Sequence, residues 1–185
     1  MSHSFEDFER TAFRLEARPI YMVEREAEAF RRYLAGEPLP SAADALTDWE
    51  ALVRRSTAGG RVISRVHAIE GPLTPYLRFE IDWGYPYTAA AGEQIAILHR
   101  DSLREVFGAD TPPPDFWLFD DERVLWMEYD DAGRFVGSEE SSDPQDIARC
   151  VRLRSVALEH ALTLRAYMAA LRLAPIAPLA VPSAA

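Results

Sequence analysis

The stretch from residue 115 to 137 limits the fold more than any other part of the chain. Three short apolar runs, Phe116-Trp117-Leu118-Phe119, Val124-Leu125-Trp126-Met127-Glu128-Tyr129 and Arg134-Phe135-Val136-Gly137, are separated by the acidic turns Asp120-Asp121 and Asp130-Asp131-Ala132-Gly133. Apolar runs of strand length joined by Asp- and Gly-containing turns predict an antiparallel meander. Period-two alternation sends Phe116, Leu118 and Asp120 to one face and Trp117, Phe119 and Asp121 to the other. The first strand is therefore expected to be covered on both faces, with Asp120 and Asp121 at its rim. One of the two is expected to accept backbone hydrogen bonds and the other to stay free for a ligand or an arginine.

Upstream, Phe13, Leu15 and Ala17 alternate with Arg14, Glu16 and Arg18, a strand pattern that Pro19 interrupts, which points to an edge position. Ala27, Phe30, Tyr33 and Leu34 recur at helical spacing until Gly36, and a proline-containing loop follows over 37–43. Thr47-Asp48-Trp49-Glu50 is a capping box that opens a second helix, closed by Gly59-Gly60. Val62, Ser64, Val66 and Ala68 then alternate as a strand. Tyr76, Phe79 or Glu80, Trp83 and Tyr87 share a helical face, so a helix is expected over 74–83, and Ile95, Ile97 and His99 alternate as a short strand. Three prolines make 111–114 an extended connector. Ser142-Asp143-Pro144 starts a last long helix that is expected to run to Leu173. It carries Val151, Leu158 and Leu162 on one face and Leu153, Val156, Leu164 and Leu171 on another, a pattern suited to the core or to a homodimer. Together these elements predict one α/β domain over 5–173, with α+β as the alternative: a mixed sheet, a C-terminal antiparallel meander, flanking helices and a proline- and alanine-rich tail over 174–185.

Composition removes several functions. All 20 basic residues are arginine, against 30 acidic ones, for a formal charge of −10. Without lysine there is no Schiff-base chemistry and no phosphate-loop lysine. The acidic balance argues against direct nucleic-acid binding. The single cysteine, Cys150, excludes an internal disulfide, and its place within the last helix reads as a buried small hydrophobe. His3, His67, His99 and His160 lack metal-ligand spacing and read as structural or exposed. No cofactor and no metal are expected. The first eight residues do not form a secretory signal, and no apolar run is long enough for a membrane span, so a cytoplasmic protein is expected.

Two features could carry function. Between Asp120 and Asp146 lie ten acidic residues and two arginines. Asp130-Asp131-Ala132-Gly133-Arg134 lacks the ligand order of a calcium loop, so the excess charge suits a basic protein partner better. The aromatic helix is the other candidate: Tyr76, Trp83, Tyr85 and Tyr87 could wall a pocket with Arg78 and Glu80 as polar anchors, joined by Trp117 from the meander. If the protein is an enzyme, Asp120 or Asp121 is the expected general base and Arg78 the group that holds an anion.

The blocks Phe8-Glu9-Arg10-Thr11-Ala12-Phe13-Arg14-Leu15-Glu16, Tyr76-Leu77-Arg78-Phe79-Glu80, Ala91-Gly92-Glu93, Asp115-Phe116-Trp117-Leu118-Phe119-Asp120-Asp121 and Tyr129-Asp130-Asp131-Ala132-Gly133-Arg134-Phe135-Val136-Gly137 occur in this order. Together they resemble a family of uncharacterised actinobacterial proteins that carry a domain-of-unknown-function label. The resemblance spans nearly the whole chain. It implies a gene beside a helix-turn-helix regulator of the xenobiotic-response type, and it supplies no catalytic residue. A weaker architectural likeness is to one half of the phospholipase D fold, whose chemistry needs His-x-Lys-x4-Asp. Aligned on Asp121, those positions hold Pro114 and Phe116, so that chemistry has no nucleophile here. The leading expectation is a non-enzymatic regulatory protein that binds a helix-turn-helix regulator. The alternative is a biosynthetic enzyme or small-ligand-binding protein built on the aromatic, arginine and carboxylate pocket.

Overall fold

The computed structural model describes residues 5, 7–40, 47–103 and 114–173; most of the proline connector and the tail from 174 lie outside them. One mixed sheet carries the architecture, in the order β6-β5-β4-β1-β2-β3-β7. Its strands are β1 (Thr11–Glu16), β2 (Val62–Ile69), β3 (Gln94–His99), β4 (Asp115–Phe119), β5 (Arg123–Tyr129), β6 (Phe135–Ser141) and the two-residue β7 (Leu162–Thr163). β1, β2 and β3 are parallel, while β4, β5 and β6 form the expected antiparallel meander beside β1.

The edge position expected for β1 is corrected: it lies between β4 and β2, at the centre of the sheet. Pro19 misleads because the strand ends at Glu16, so the proline falls after the chain has left the ladder.

Where it is buried, one sheet face is apolar. Helix α5 (Pro144–His160) lays Cys150, Leu153 and Ala157 over Phe13, Leu15, Val66, Phe116 and Leu118. The opposite face is covered by α2 (Asp48–Ala58), whose Val53 packs on Ala12, Ile63 and Phe119. The Glu50 carboxylate accepts the Thr47 N–H at 2.7 Å, which completes the capping box. The same face carries a longer helical run: α3 (Pro75–Phe79), a π turn (Glu80–Gly84) and α4 (Tyr85–Ala91). The helix expected over 74–83 thus continues by two turns and stops at Gly92, whose φ of 115° suits glycine. Helix α1 (Ala27–Leu34) leans on this run through Phe30 and Tyr33.

The single last helix is also corrected. It breaks at Ala161, where the backbone turns extended, β7 pairs with β3, and α6 (Leu164–Leu173) begins. The reason is packing. Leu164, Tyr167, Met168 and Leu171 join Ile95, Ile97, Leu77 and Ile81 on the face opposite α5, and no straight helix reaches both faces. Leu158 and Leu162 are each 48% exposed, so the apolar set expected on one helical stripe is left largely in solvent. Among the described residues, no helix is long and apolar enough to cross a membrane.

Candidate functional site

Strand parity decides which side chains enter the second face. Ala12, Arg14 and Glu16 of β1 share a face with Ile63, Arg65 and His67 of β2, because the pairs Ala12–Ile63, Arg14–Arg65 and Glu16–His67 are in register. The antiparallel pairing of Ala12 with Phe119 and Arg14 with Trp117 puts Asp115, Trp117 and Phe119 on it too. The first rung of this face is apolar and packs under α2. The next two rungs carry Arg14, Glu16, Arg65, His67 and Asp115 at the C-terminal ends of the parallel strands. There the chain order diverges, with β2 on one side of β1 and β4 on the other, the position at which open α/β sheets form ligand crevices.

Arg14 is only 2% exposed. Its Nη2 donates to Asp115 at 3.1 Å and to the Tyr129 hydroxyl at 3.0 Å, and its Nε lies 3.5 Å from Glu16. Its Nη1 is buried and has no hydrogen-bond partner among the described residues. Burial opposes the guanidinium charge, but Asp115, Tyr129 and Glu16 outweigh it and raise the Arg14 pKa. Burial lifts Asp115 above the usual carboxylate range, Arg14 offsets only part of this, and the Tyr21 hydroxyl donates to it at 2.5 Å.

Arg65 links two further carboxylates. Its Nη1 donates to both Glu16 oxygens at 2.9 and 3.0 Å, and its Nε to Glu93 at 2.9 Å. The Trp49 indole also donates to Glu93, at 3.0 Å. Burial pushes Glu16 upward, but Arg65 and Arg14 dominate and hold it down at about 2. His67, 1% exposed, has Nε2 2.9 Å from the Arg18 carbonyl and Nδ1 2.6 Å from the Tyr85 hydroxyl. A carbonyl only accepts, so Nε2 carries the proton and Nδ1 accepts from Tyr85. Burial lowers the His67 pKa and favours this neutral form. The Tyr85 oxygen also lies 3.2 Å from Glu16, so His67 Nδ1 and the Glu16 carboxylate are alternative acceptors for the one Tyr85 hydroxyl proton.

Two adjoining cavities open on this centre. The smaller, about 220 Å³, is lined by Arg14, Glu16, Tyr21, Tyr76 and Trp117 among others. The larger, about 370 Å³, lies under Trp49, Phe79, Trp83 and Tyr87. Arg65, Glu26, Glu80 and Tyr85 line both. Glu80 is 8% exposed, and burial, then Glu26, push its carboxyl well above the usual range. Glu26 accepts from the Tyr76 hydroxyl at 3.0 Å. Among the described residues, no three His, Cys, Asp or Glu side chains converge to hold a metal ion.

The structure thus brings Tyr76, Glu80, Trp83, Tyr87 and Trp117 together around the cavities. It does not bring Arg78, which lines neither and whose charge acts on Tyr33 and Tyr167. Asp120 and Asp121 sit beyond the far end of β4 from Asp115, in a turn with φ of 55° and 63°. Asp120 accepts the backbone N–H groups of Glu9, Arg10 and Thr11, each at 2.7 Å, and so tacks the segment entering β1 to the meander. Asp121 pairs with Arg154 of α5. Asp130 caps its own turn by accepting the Arg134 N–H at 2.8 Å, and Asp131 is exposed.

Sequence reasoning missed Arg14, Glu16, Arg65, His67 and Asp115. The signal was the polar half of the alternation in β1 and β2, which reads as solvent-facing only while β1 is taken for an edge.

The fold and site define an α/β protein with a mixed sheet and a buried ionic centre where its parallel strands end. The chain belongs to the family described as "Domain of unknown function (DUF6879)", whose model matches residues 1–169. No curated protein matches it. Among solved structures it is similar to NucT from Helicobacter pylori at 8% identity, over 86% of this chain and 85% of that chain, with a TM-score of 0.47.

Proposed function

We propose that this chain is a small-ligand-binding protein whose ligand occupies the paired cavities above Arg14, Glu16, Arg65, His67 and Asp115. One observation carries the reading. The two faces of the same strands are built differently: the buried strand side chains of one are apolar, while the other holds five ionisable side chains at one end. Removing a charge from water costs several kcal/mol even after relaxation, and an apolar replacement of a buried ionic cluster is often as stable or more so. The apolar solution is present one face away, so the ionic one is read as kept for recognition. Arg14 Nη1 is a donor to spare.

The test is a thermal-shift screen of the full chain against a chemically mixed metabolite library. At least one compound should raise the melting temperature, and Arg14→Met should remove the shift. A ligand at about a hundredfold above its Kd adds about 2.7 kcal/mol, well within detection. A library-wide absence of shifts, with no response of the Trp49 and Trp117 fluorescence to any compound, would end this reading.

A second reading is favoured by the meander edge. β6 has no strand on its outer side among the described residues, Glu139 and Glu140 are exposed, and Phe135 and Val136 are 54% and 62% exposed. An acidic, partly apolar edge suits a basic partner. In this reading the partner is the helix-turn-helix regulator that the family resemblance implies in actinobacterial genomes. Copurification with such a regulator, lost on charge reversal at Asp130, Asp131, Glu139 and Glu140, would support it; copurification unchanged by the reversal would exclude that edge. Both readings take the protein to be cytoplasmic.

A further inference from the structure

Gly84, in the π turn, is glycine for reasons of space. Its φ of −61° is open to any residue, and glycine inside a helix is unfavourable. A Cβ here would stand 3.0 Å from both carboxylate oxygens of Glu80, one turn earlier. The missing side chain leaves room for a carboxyl that faces both cavities and receives no hydrogen bond from any described residue. π turns inside helices occur frequently at functional sites.

The other charged groups around the larger cavity are already compensated. Arg65 is held by Glu16 and Glu93, Arg32 by Glu37 at 2.7 Å, and Arg25 lies 3.7 Å from Glu26. Glu28 is paired with Arg31, and Glu50 is spent on its helix cap. What remains for an occupant is the Glu80 carboxyl, in a cavity also lined by Trp49 and Trp83 and by Tyr85, whose ring already carries the Arg65 guanidinium 5.6 Å from its centroid. One free carboxylate is too few oxygens for a hard metal ion. Aromatic faces beside an anionic group suit an organic cation, which is poorly hydrated and attracted to the ring quadrupoles.

We infer that the larger cavity binds a small organic cation, an amine or quaternary ammonium, with Glu80 as its counter-ion and Trp49 and Trp83 as its aromatic walls. Without an occupant, burial and Glu26 keep the Glu80 carboxyl protonated more readily than an ordinary carboxylate; the cation supplies the charge that lets it ionise. This inference rests on the ligand-binding reading and names its ligand class.

The test titrates the full chain with choline, and with 3,3-dimethylbutan-1-ol as the neutral molecule of the same shape, followed by tryptophan fluorescence and calorimetry. Choline should bind at least about tenfold more tightly than the alcohol, through the attraction of its charge to the carboxylate and to the ring faces. Glu80→Gln should lose about tenfold for choline and leave the alcohol unchanged, and Gly84→Ala should weaken choline by crowding the carboxyl. Equal binding of choline and the alcohol, or an unchanged affinity in Glu80→Gln, overturns the inference. If that variant does not fold, the comparison of choline with the alcohol on the wild type decides alone. If choline, tetramethylammonium and phenethylamine all fail while neutral or anionic library compounds bind in an Arg14-dependent way, the cation is wrong and the ligand site stands. If no compound of any class binds, both fall.

Discussion

Replacing Arg14 by methionine tests whether the ionic centre is a cost or a support. The guanidinium is 2% exposed and supplies Asp115 with its only positive contact among the described residues, at 3.1 Å. Removing it strands a buried carboxylate with only the Tyr21 hydroxyl as donor, and breaking a buried pair from one side costs about 3–5 kcal/mol. Adding Asp115→Asn removes the stranded charge while the amide oxygen still accepts from Tyr21. Glu16 keeps both of its contacts to Arg65 in either variant. The double variant should therefore return to within about 1–2 kcal/mol of the wild type. Urea unfolding followed by tryptophan fluorescence gives both numbers, provided the slopes agree. There is a second readout. Asp115 already sits above the usual carboxylate range, and losing Arg14 raises it further. The folded single variant then takes up a proton more readily than its unfolded chain, so its deficit should shrink as pH falls. A double variant no more stable than Arg14→Met alone would make the network a net stabiliser, and the argument from its cost would fail.

The acidic turn should divide cleanly. Asp120→Ala loses three backbone bonds and puts alanine at a φ of 55°, for about 2–3 kcal/mol, whereas Asp121→Asn keeps its turn geometry and gives up a half-exposed pair worth less than about 1 kcal/mol; equal urea midpoints for the two would refute this. Glu16, held down at about 2, stabilises fully above the ordinary glutamate range near 4.3, so the stability gap between wild type and Glu16→Gln should close only as pH falls from about 4.5 to about 2. His67 follows the same sign: the unfolded chain takes a proton below about 6.5 while the folded ring resists, so its carbon-bound ring resonances should shift only below the range of a free imidazole, and the advantage of wild type over His67→Gln should fall with acidification. Burial pushes the Cys150 thiol up to about 12, so it should ignore a thiol reagent until urea unfolds the protein.

The meander was legible because its turns are local chemistry: the Asp120-Asp121 pair and an Asp-Asp-Ala-Gly tetrad leave few alternatives to a chain reversal. The buried ionic centre was not legible for a non-local reason. Arg14 and Glu16 alternate with apolar neighbours as an exposed strand face would, and only the pairing of β1 with both β2 and β4 turns that face inward. His67 was equally opaque, since its partners are the Arg18 carbonyl and Tyr85, 49 and 18 residues away. The aromatic helix was found by its periodicity, but Arg78 was not separable from Glu80 on that basis. Two residues apart on a helix, they point to different neighbours, and only tertiary packing says which side meets the cavities. The break at Ala161 lies between these cases. Both apolar sets were visible in the sequence, yet nothing local says that they serve opposite faces.

That break has a mechanical consequence. The chain passes around the open edge of β3 through β7, leaving α5 on one side of the sheet and α6 on the other, like a clip closed over the rim of a card. Peeling either hydrophobic layer away first would pull on the same short bridge, so the two layers are tied into one cooperative unit. The amides of β3 would then exchange with solvent only through openings that loosen both helices, and the floor beneath the aromatic helix would be no softer than the apolar layer behind it.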